Sequence, residues 1–166
     1  MTQAKHDVSD PVRSPGVLQC CTVENSLTSF IVQHPKATFI VDPAVCMHAQ
    51  QRVITQLPAV LRVAVRPPTG TIPTMTALTQ LPETPQLDFA LPTHAHWGHV
   101  SGLLDMPDLP VHLHRPEREW ISSGPVAPVG GVRDSLLDRS IMEYELAGPP
   151  VLTFTRSRDL FQHRSK

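Results

Sequence analysis

Three histidines stand closer together than composition predicts. His94, His96 and His99 form an H-x-H-x-x-H triplet. About 0.03 such triplets are expected by chance in a chain of 166 residues with 9 histidines. Neutral imidazole is a good zinc ligand, with Zn–N bonds of about 2.0–2.1 Å. The spacing also suits a shared cavity. In an extended segment His94 and His96 project to one side, and His99, about one helical turn past His96, returns to that side if a helix begins there. A competing reading makes His94 and His96 loop histidines on a polar rim and His99 a residue at a helix start. Spacing alone leaves both readings open.

Other residue types invite chemistry less strongly. Cys20, Cys21 and Cys46 are an odd count, which argues against a closed disulfide framework. On a strand the adjacent Cys20 and Cys21 would face opposite sides, so all three are expected to be small, partly buried thiols. His112 and His114 alternate and so share one face of a short strand, where structural or surface roles are expected. Asp105 and Asp108 flank a proline-containing turn and read as helix termination. Ser101, Ser122 and Ser123 lack a G-x-S-x-G setting. Glu117 and Glu119 read as a solvated helix start rather than an acid/base pair.

The triplet needs elements to hold it. Leu27 to Gln33 and Ala37 to Val41 are β-branched and apolar, and the link His34-Pro35-Lys36 makes them a β-hairpin. Asp42-Pro43 ends the second strand, because proline cannot continue a ladder. Ala44 to Leu57 has helical spacing, and Pro58 stops it. Val60 to Val65 is an apolar run and reads as a strand. Pro67 to Pro85 reads as a Pro/Thr-rich loop. Leu87, Phe89 and Leu91 alternate at the period of a strand that leads into the histidines. A helix is expected from Val100 to Leu104, a strand from Val111 to His114, and a helix from Pro116 to Ile121, with proline at its start and acids in its first turn. Ser122 to Val132 reads as a Gly/Pro-rich loop, and Val151 to Thr155 as a last strand. The alternation of strands and helices indicates an α/β class, and strand ends in open α/β sheets are where ligands gather.

Composition bounds the rest. Hydrophobic residues make up 40% and charged residues 17%, as expected of a globular domain. The 18 prolines shorten helices and lengthen loops. The net charge is −1 with histidine neutral, and no basic cluster suggests nucleic-acid binding. No apolar run approaches a membrane span, and the N-terminus lacks the apolar centre of a signal peptide. A cytoplasmic protein is expected, with a flexible tail over 1–16, a domain over 17–161 and a C-terminal tail over 162–166.

Taken in context, Thr93-His94-Ala95-His96-Trp97-Gly98-His99-Val100-Ser101-Gly102-Leu103 resembles the T-H-x-H-x-D-H-x-x-G motif of the metallo-β-lactamase-fold hydrolases. Asn25-Ser26-Leu27, and then Phe39-Ile40-Val41-Asp42-Pro43, resemble the family's first hairpin and its I-D-P-G turn. Leu87 to Leu91 resembles the strand before the motif, and Pro110 to Glu117 the strand and helix after it. The similarity covers Val17 to Phe161. It implies a partial αββα sandwich, the first βαβ half of the family's layered α/β fold. It also implies zinc, one or two ions, with His94 and His96 helping to hold the first and His99 the second. Asp42 would organise the site by hydrogen bonds. The implied activity is hydrolysis of a small-molecule ester, lactone, thioester or amide by metal-bound hydroxide. Trp97 is a variant associated with lactonase-like and generic members.

The chain departs from the family in two ways. Gly98 stands where the family has an aspartate that binds the second zinc, and glycine has no side chain to ligate metal. The family's second half supplies further ligands, and no G-H-T-x-G segment follows Phe161. His163 is expected to be a solvated tail residue. These departures predict a truncated and catalytically impaired hydrolase. The alternative is a non-catalytic half-fold that binds another chain. A half-fold would leave one apolar sheet face uncovered and prone to self-association.

Overall fold

The computed structural model describes residues 27–65, 67, 69–123 and 131–161. Strands β1 (Phe30–His34) and β2 (Ala37–Val41) pair antiparallel, with Phe30 opposite Val41 and His34 opposite Ala37. Pro35 and Lys36 form the turn, and the Lys36 backbone N–H donates to His34 Nδ1 at 3.1 Å. Strands β3 (Phe89–Leu91), β4 (Val111–His114) and β5 (Ile141–Tyr144) add in parallel, so the sheet order is β1-β2-β3-β4-β5. Asp88 fixes the β2–β3 register from outside the ladder. Its carboxylate accepts the Thr38 N–H at 2.7 Å, and its own N–H donates to the Thr38 carbonyl at 2.8 Å.

Parallel neighbours need crossovers. Between β2 and β3 run helix α1 (Ala49–Arg52), a 3-10 turn (Ile54–Gln56), and helices α2 (Ala59–Ala64) and α3 (Thr74–Thr79). Between β3 and β4 run α4 (Trp97–Val100) and a 3-10 turn (Ser101–Asp105). Helices α5 (Arg115–Ser123) and α6 (Gly131–Leu137) join β4 to β5. The α/β class expected from the sequence is the class observed.

The sheet's two faces differ. Ile40, Ala90, Val111 and Leu113 share one face and are fully buried, in one core with Val53, Ile54, Val100, Leu103, Ile121 and Leu136. The other face carries an aromatic row. Phe39 stacks on Phe89 at 4.8 Å, Phe89 on His112 at 3.9 Å, and Phe161 on His34 at 4.1 Å beside them. By register Phe30 and Met142 lie on this second face, and they are 60% and 59% exposed.

Several local expectations are corrected. Val60 to Val65 is not a strand: Ala59–Ala64 is α2, started by Pro58, whose carbonyl accepts the Leu61 N–H at 2.8 Å. A short apolar run cannot separate helix from strand by periodicity. Inside the expected 67–85 loop, α3 forms because Thr74 is tied down, its N–H to the Val45 carbonyl at 2.9 Å and its hydroxyl to the Pro43 carbonyl at 2.9 Å. The helix expected from Ala44 to Leu57 divides into α1 and the 3-10 turn. Val151 to Thr155 makes no strand, only an isolated bridge between Val151 and Phe154 around Leu152, whose φ is 53°. The fifth strand is Ile141–Tyr144 instead. The expected tails, Cys20, Cys21, Asn25, Ser26 and His163 lie outside the described residues. Among the described residues no helix is long and apolar enough to cross a membrane.

Candidate metal centre

The parallel strands β2, β3 and β4 end on one edge of the sheet, the edge where open α/β sheets collect ligands. Asp42 follows β2, Thr93 to His96 follow β3, and α5 begins directly after β4. Each candidate residue therefore sits where a buried strand gives way to a turn or helix.

The turn after β2 is unusual. Asp42 and Ala44 adopt positive φ, 50° and 26°. Aspartate tolerates that region better than most residues, while alanine at positive φ is strained. The strain is held by packing from the other crossover. Gly102 donates its N–H to the Ala44 carbonyl at 3.0 Å, and the Ser101 hydroxyl donates to the same carbonyl at 3.0 Å. A Cβ on Gly102 would fall 1.6 Å from the Pro43 carbonyl oxygen. Only glycine fits that approach, which gives this glycine of the histidine segment a physical reason.

Asp42 is the hub. It is only 6% exposed. Its carboxylate accepts the Thr93 N–H at 2.7 Å, the Thr93 hydroxyl at 2.8 Å, and His99 Nδ1–H at 3.0 Å. Thr93 Oγ1 also lies 3.1 Å from His94 Nδ1. Since the hydroxyl gives its proton to the carboxylate, the stronger acceptor, it must accept from His94 Nδ1–H. Both His94 and His99 then present the Nε2 lone pair, the form that binds metal. Burial and the neighbouring His99 and His96 push the His94 imidazole below its ordinary pKa, partly offset by Asp42 and Glu117. That further favours its neutral form.

The rings cluster. His94 lies 4.7 Å from His96 and 4.0 Å from His99, centroid to centroid. His96 is exposed and leans on Trp120 at 5.2 Å. Between His94 and His96 the Ala95 N–H donates to Glu117 at 3.0 Å, so α5 braces the segment from below.

These donors do not make a finished metal site. Two imidazoles bound tetrahedrally to one zinc hold their centroids about 5 Å apart, given bonds of about 2.1 Å. The His94–His99 pair is tighter than that. Among the described residues no group of three or more His, Cys, Asp or Glu is disposed to hold a metal ion.

No protein-family model and no curated relative matches the sequence. Solved structures do match the fold. An N-acyl homoserine lactone hydrolase, with the product N-hexanoyl-L-homoserine bound at its catalytic metal centre, superposes with a TM-score of 0.54 at 17% identity, over 73% of this chain and 49% of that one. A variant of B. thuringiensis AiiA with N-decanoyl-L-homoserine at its active site gives a TM-score of 0.54 at 18% identity, over the same 73% and 49%. Over the matched part the fold is the metallo-β-lactamase fold of these lactone hydrolases. This chain spans about half the length of the structures it matches.

Within the metallo-β-lactamase fold the departures become concrete. Gly98 is buried in α4, and a Cβ there would lie 3.1 Å from Leu27 Cδ2. Of the residues named from sequence, His94, His96, His99 and Asp42 come together. His112 and His114 do not join them; His112 stacks on Phe89, and His114 lies tilted 5.5 Å from Tyr144. Asp105 does more than end a helix, since its carboxylate holds Arg52 and the Met47 N–H. Cys46 is a buried free thiol whose pKa burial raises, so it stays protonated. Glu117, read from sequence as part of a solvated helix start, instead accepts the Ala95 N–H at 3.0 Å, and the roles of Trp120 and Leu27 were not foreseen. The only available signal was the position of Glu117 and Trp120 on the helix after β4; Leu27 gave none.

Proposed function

We propose that this chain is a zinc-hydrolase-type member of the metallo-β-lactamase superfamily whose site is impaired as it stands here. The family chemistry is hydrolysis of a small-molecule ester, lactone, thioester or amide by metal-bound hydroxide. In this chain Asp42 and Thr93 orient His94 and His99, and His94, His96 and His99 are the candidate zinc donors. The single observation that carries the reading is the Asp42–Thr93–His94/His99 network, which sets both imidazoles in the metal-binding tautomer. The impairment follows from Gly98 and from the unclosed donor set.

Zinc titration of the purified chain against a chromophoric chelator tests this. Less than one tightly held zinc per chain is expected, with weak binding abolished by His96→Ala and no turnover of lactone, β-lactam or thioester. Two tightly bound zincs, or turnover lost on His96→Ala, would refute the impairment. Zinc uptake indifferent to His96→Ala would refute the site.

A second reading is a non-catalytic binding module that pairs with another chain, a second copy of itself included. The exposure of Phe30 and Met142 on the open sheet face favours it.

A further inference from the structure

After β5 the chain folds back on itself. The Gly148 N–H donates to the Ser157 carbonyl at 2.8 Å, and Val151 and Phe154 exchange backbone hydrogen bonds at 3.1 and 3.0 Å. The Ser157 hydroxyl donates to the Pro149 carbonyl at 2.7 Å. A Cβ on Gly148 would fall 2.8 Å from the Ser157 carbonyl oxygen, so glycine lets the two arms approach. This fold-back and the start of α5 bound an open cavity of about 490 Å³. Sites for small organic ligands span about 300–1,000 Å³. Pro116, Leu146 and Phe154 give the cavity apolar walls. Leu146 and Phe154 are 40% and 68% exposed, and an apolar ligand seated there would cover them.

Charge narrows the ligand. Arg115, Glu145 and Arg156 also line the cavity. Arg115 pairs with Glu145 at 2.7 Å and with Glu143 at 3.7 Å, and Arg118 pairs with Glu143. Those two guanidiniums balance those two carboxylates. Glu117 is not part of the wall and accepts the Ala95 N–H instead. Arg156 is exposed and has no ion pair or hydrogen bond among the described residues. Its planar guanidinium matches a carboxylate in two-point contact. One unbalanced positive charge suits a monoanion, whereas a dianion would leave a charge unpaired. A bare small anion would leave the apolar walls wet. We infer that this cavity binds a monocarboxylate with an apolar body, its carboxylate on Arg156 and its body against Phe154, Leu146 and Pro116. The site uses none of His94, His96, His99 or Asp42, so it is independent of the zinc reading above.

The test titrates naphthoate into the full chain and reads affinity by calorimetry, with folding followed by thermal unfolding. Acetate supplies the charge without the body, and naphthylmethanol the body without the charge. Naphthoate should saturate with a Kd of about 1 mM or tighter, and both comparison compounds should bind at least about fivefold more weakly. Arg156→Gln should weaken naphthoate at least about fivefold, as expected for a lost hydrogen bond to a charged group, and Phe154→Ser should also weaken it. Glu145→Gln releases Arg115 and should tighten it by about twofold or more. Rising salt should weaken it, because the pair is exposed. Met142→Glu, on the open sheet face, should leave it unchanged. Absence of saturation, naphthylmethanol binding as tightly as naphthoate, or affinity unchanged by Arg156→Gln would overturn the proposal. Loss on Met142→Glu without loss on Arg156→Gln would move the binding to the open sheet face and overturn it too. Should Arg156→Gln fail to fold, Glu145→Gln decides, and no gain there refutes the site.

Discussion

Gly102→Ala should be among the most damaging small substitutions in the molecule. The added methyl would sit 1.6 Å from the Pro43 carbonyl oxygen and 2.8 Å from its carbon. Ordinary carbon–oxygen contacts begin near about 3.3 Å, so the two segments must part by roughly 1.5–2 Å. Both are backbone, and neither can yield by a rotamer change. Parting stretches the Gly102 N–H bond to the Ala44 carbonyl and the Ser101 hydroxyl bond to the same oxygen, each now 3.0 Å. Overpacking costs about 1–3 kcal/mol, and each hydrogen bond about 1 kcal/mol net. The sum is about 3–5 kcal/mol. At about 2–4 °C per kcal/mol for a chain of this size, the melting temperature should fall by roughly 10 °C. Urea unfolding measures the loss directly, with an unchanged slope if the transition stays two-state. The strained turn also places Asp42, so zinc affinity should fall in parallel. A loss below about 1 kcal/mol would show that the turn is plastic and that the glycine is not required by the close approach.

Two further outcomes are expected. Burial lowers the pKa of His112, which stacks on Phe89, below its ordinary value. The unfolded chain therefore binds this proton more readily than the folded one. The stabilisation is complete above about pH 6.5 and is lost as pH falls from there through the folded value. His112→Phe should flatten part of the pH dependence of urea unfolding between about pH 7.5 and 5, and an identical slope in parent and variant would contradict the assignment. The open sheet face bearing Phe30 and Met142 should drive self-association, seen as a concentration-dependent mass in sedimentation and weakened by Met142→Glu; a monomer at all concentrations would remove that reading.

Periodicity and residue type made the hairpin, β3, β4 and α5 legible, because each pairs a local pattern with a local stop signal. Asp42-Pro43 closed β2, and Arg115-Pro116 opened α5 beside its acids. The histidine triplet was legible for the same reason, since its members are close in sequence. Val60 to Val65 and Ile141 to Tyr144 were not: the first was read as a strand and is a helix, and the second was assigned no element and is a strand. The first is an apolar run, yet Val60 and Leu61 are exposed on a helix started by Pro58. The second has only Ile141 and Met142 to mark it and exists because β4 offers a free parallel edge.

The sequence by itself determined that His94, His96 and His99 project from a strand end into a helix start, and that Gly98 interrupts their motif. The tertiary structure decided what that means. Asp42 lies more than fifty residues from His99 along the chain, Glu117 more than twenty from Ala95, and Leu27 about seventy from Gly98. No periodicity connects such pairs. Only the parallel ordering of β2, β3 and β4 brings them to one edge, where hydrogen-bond geometry orients the imidazoles and Leu27 packs against Gly98.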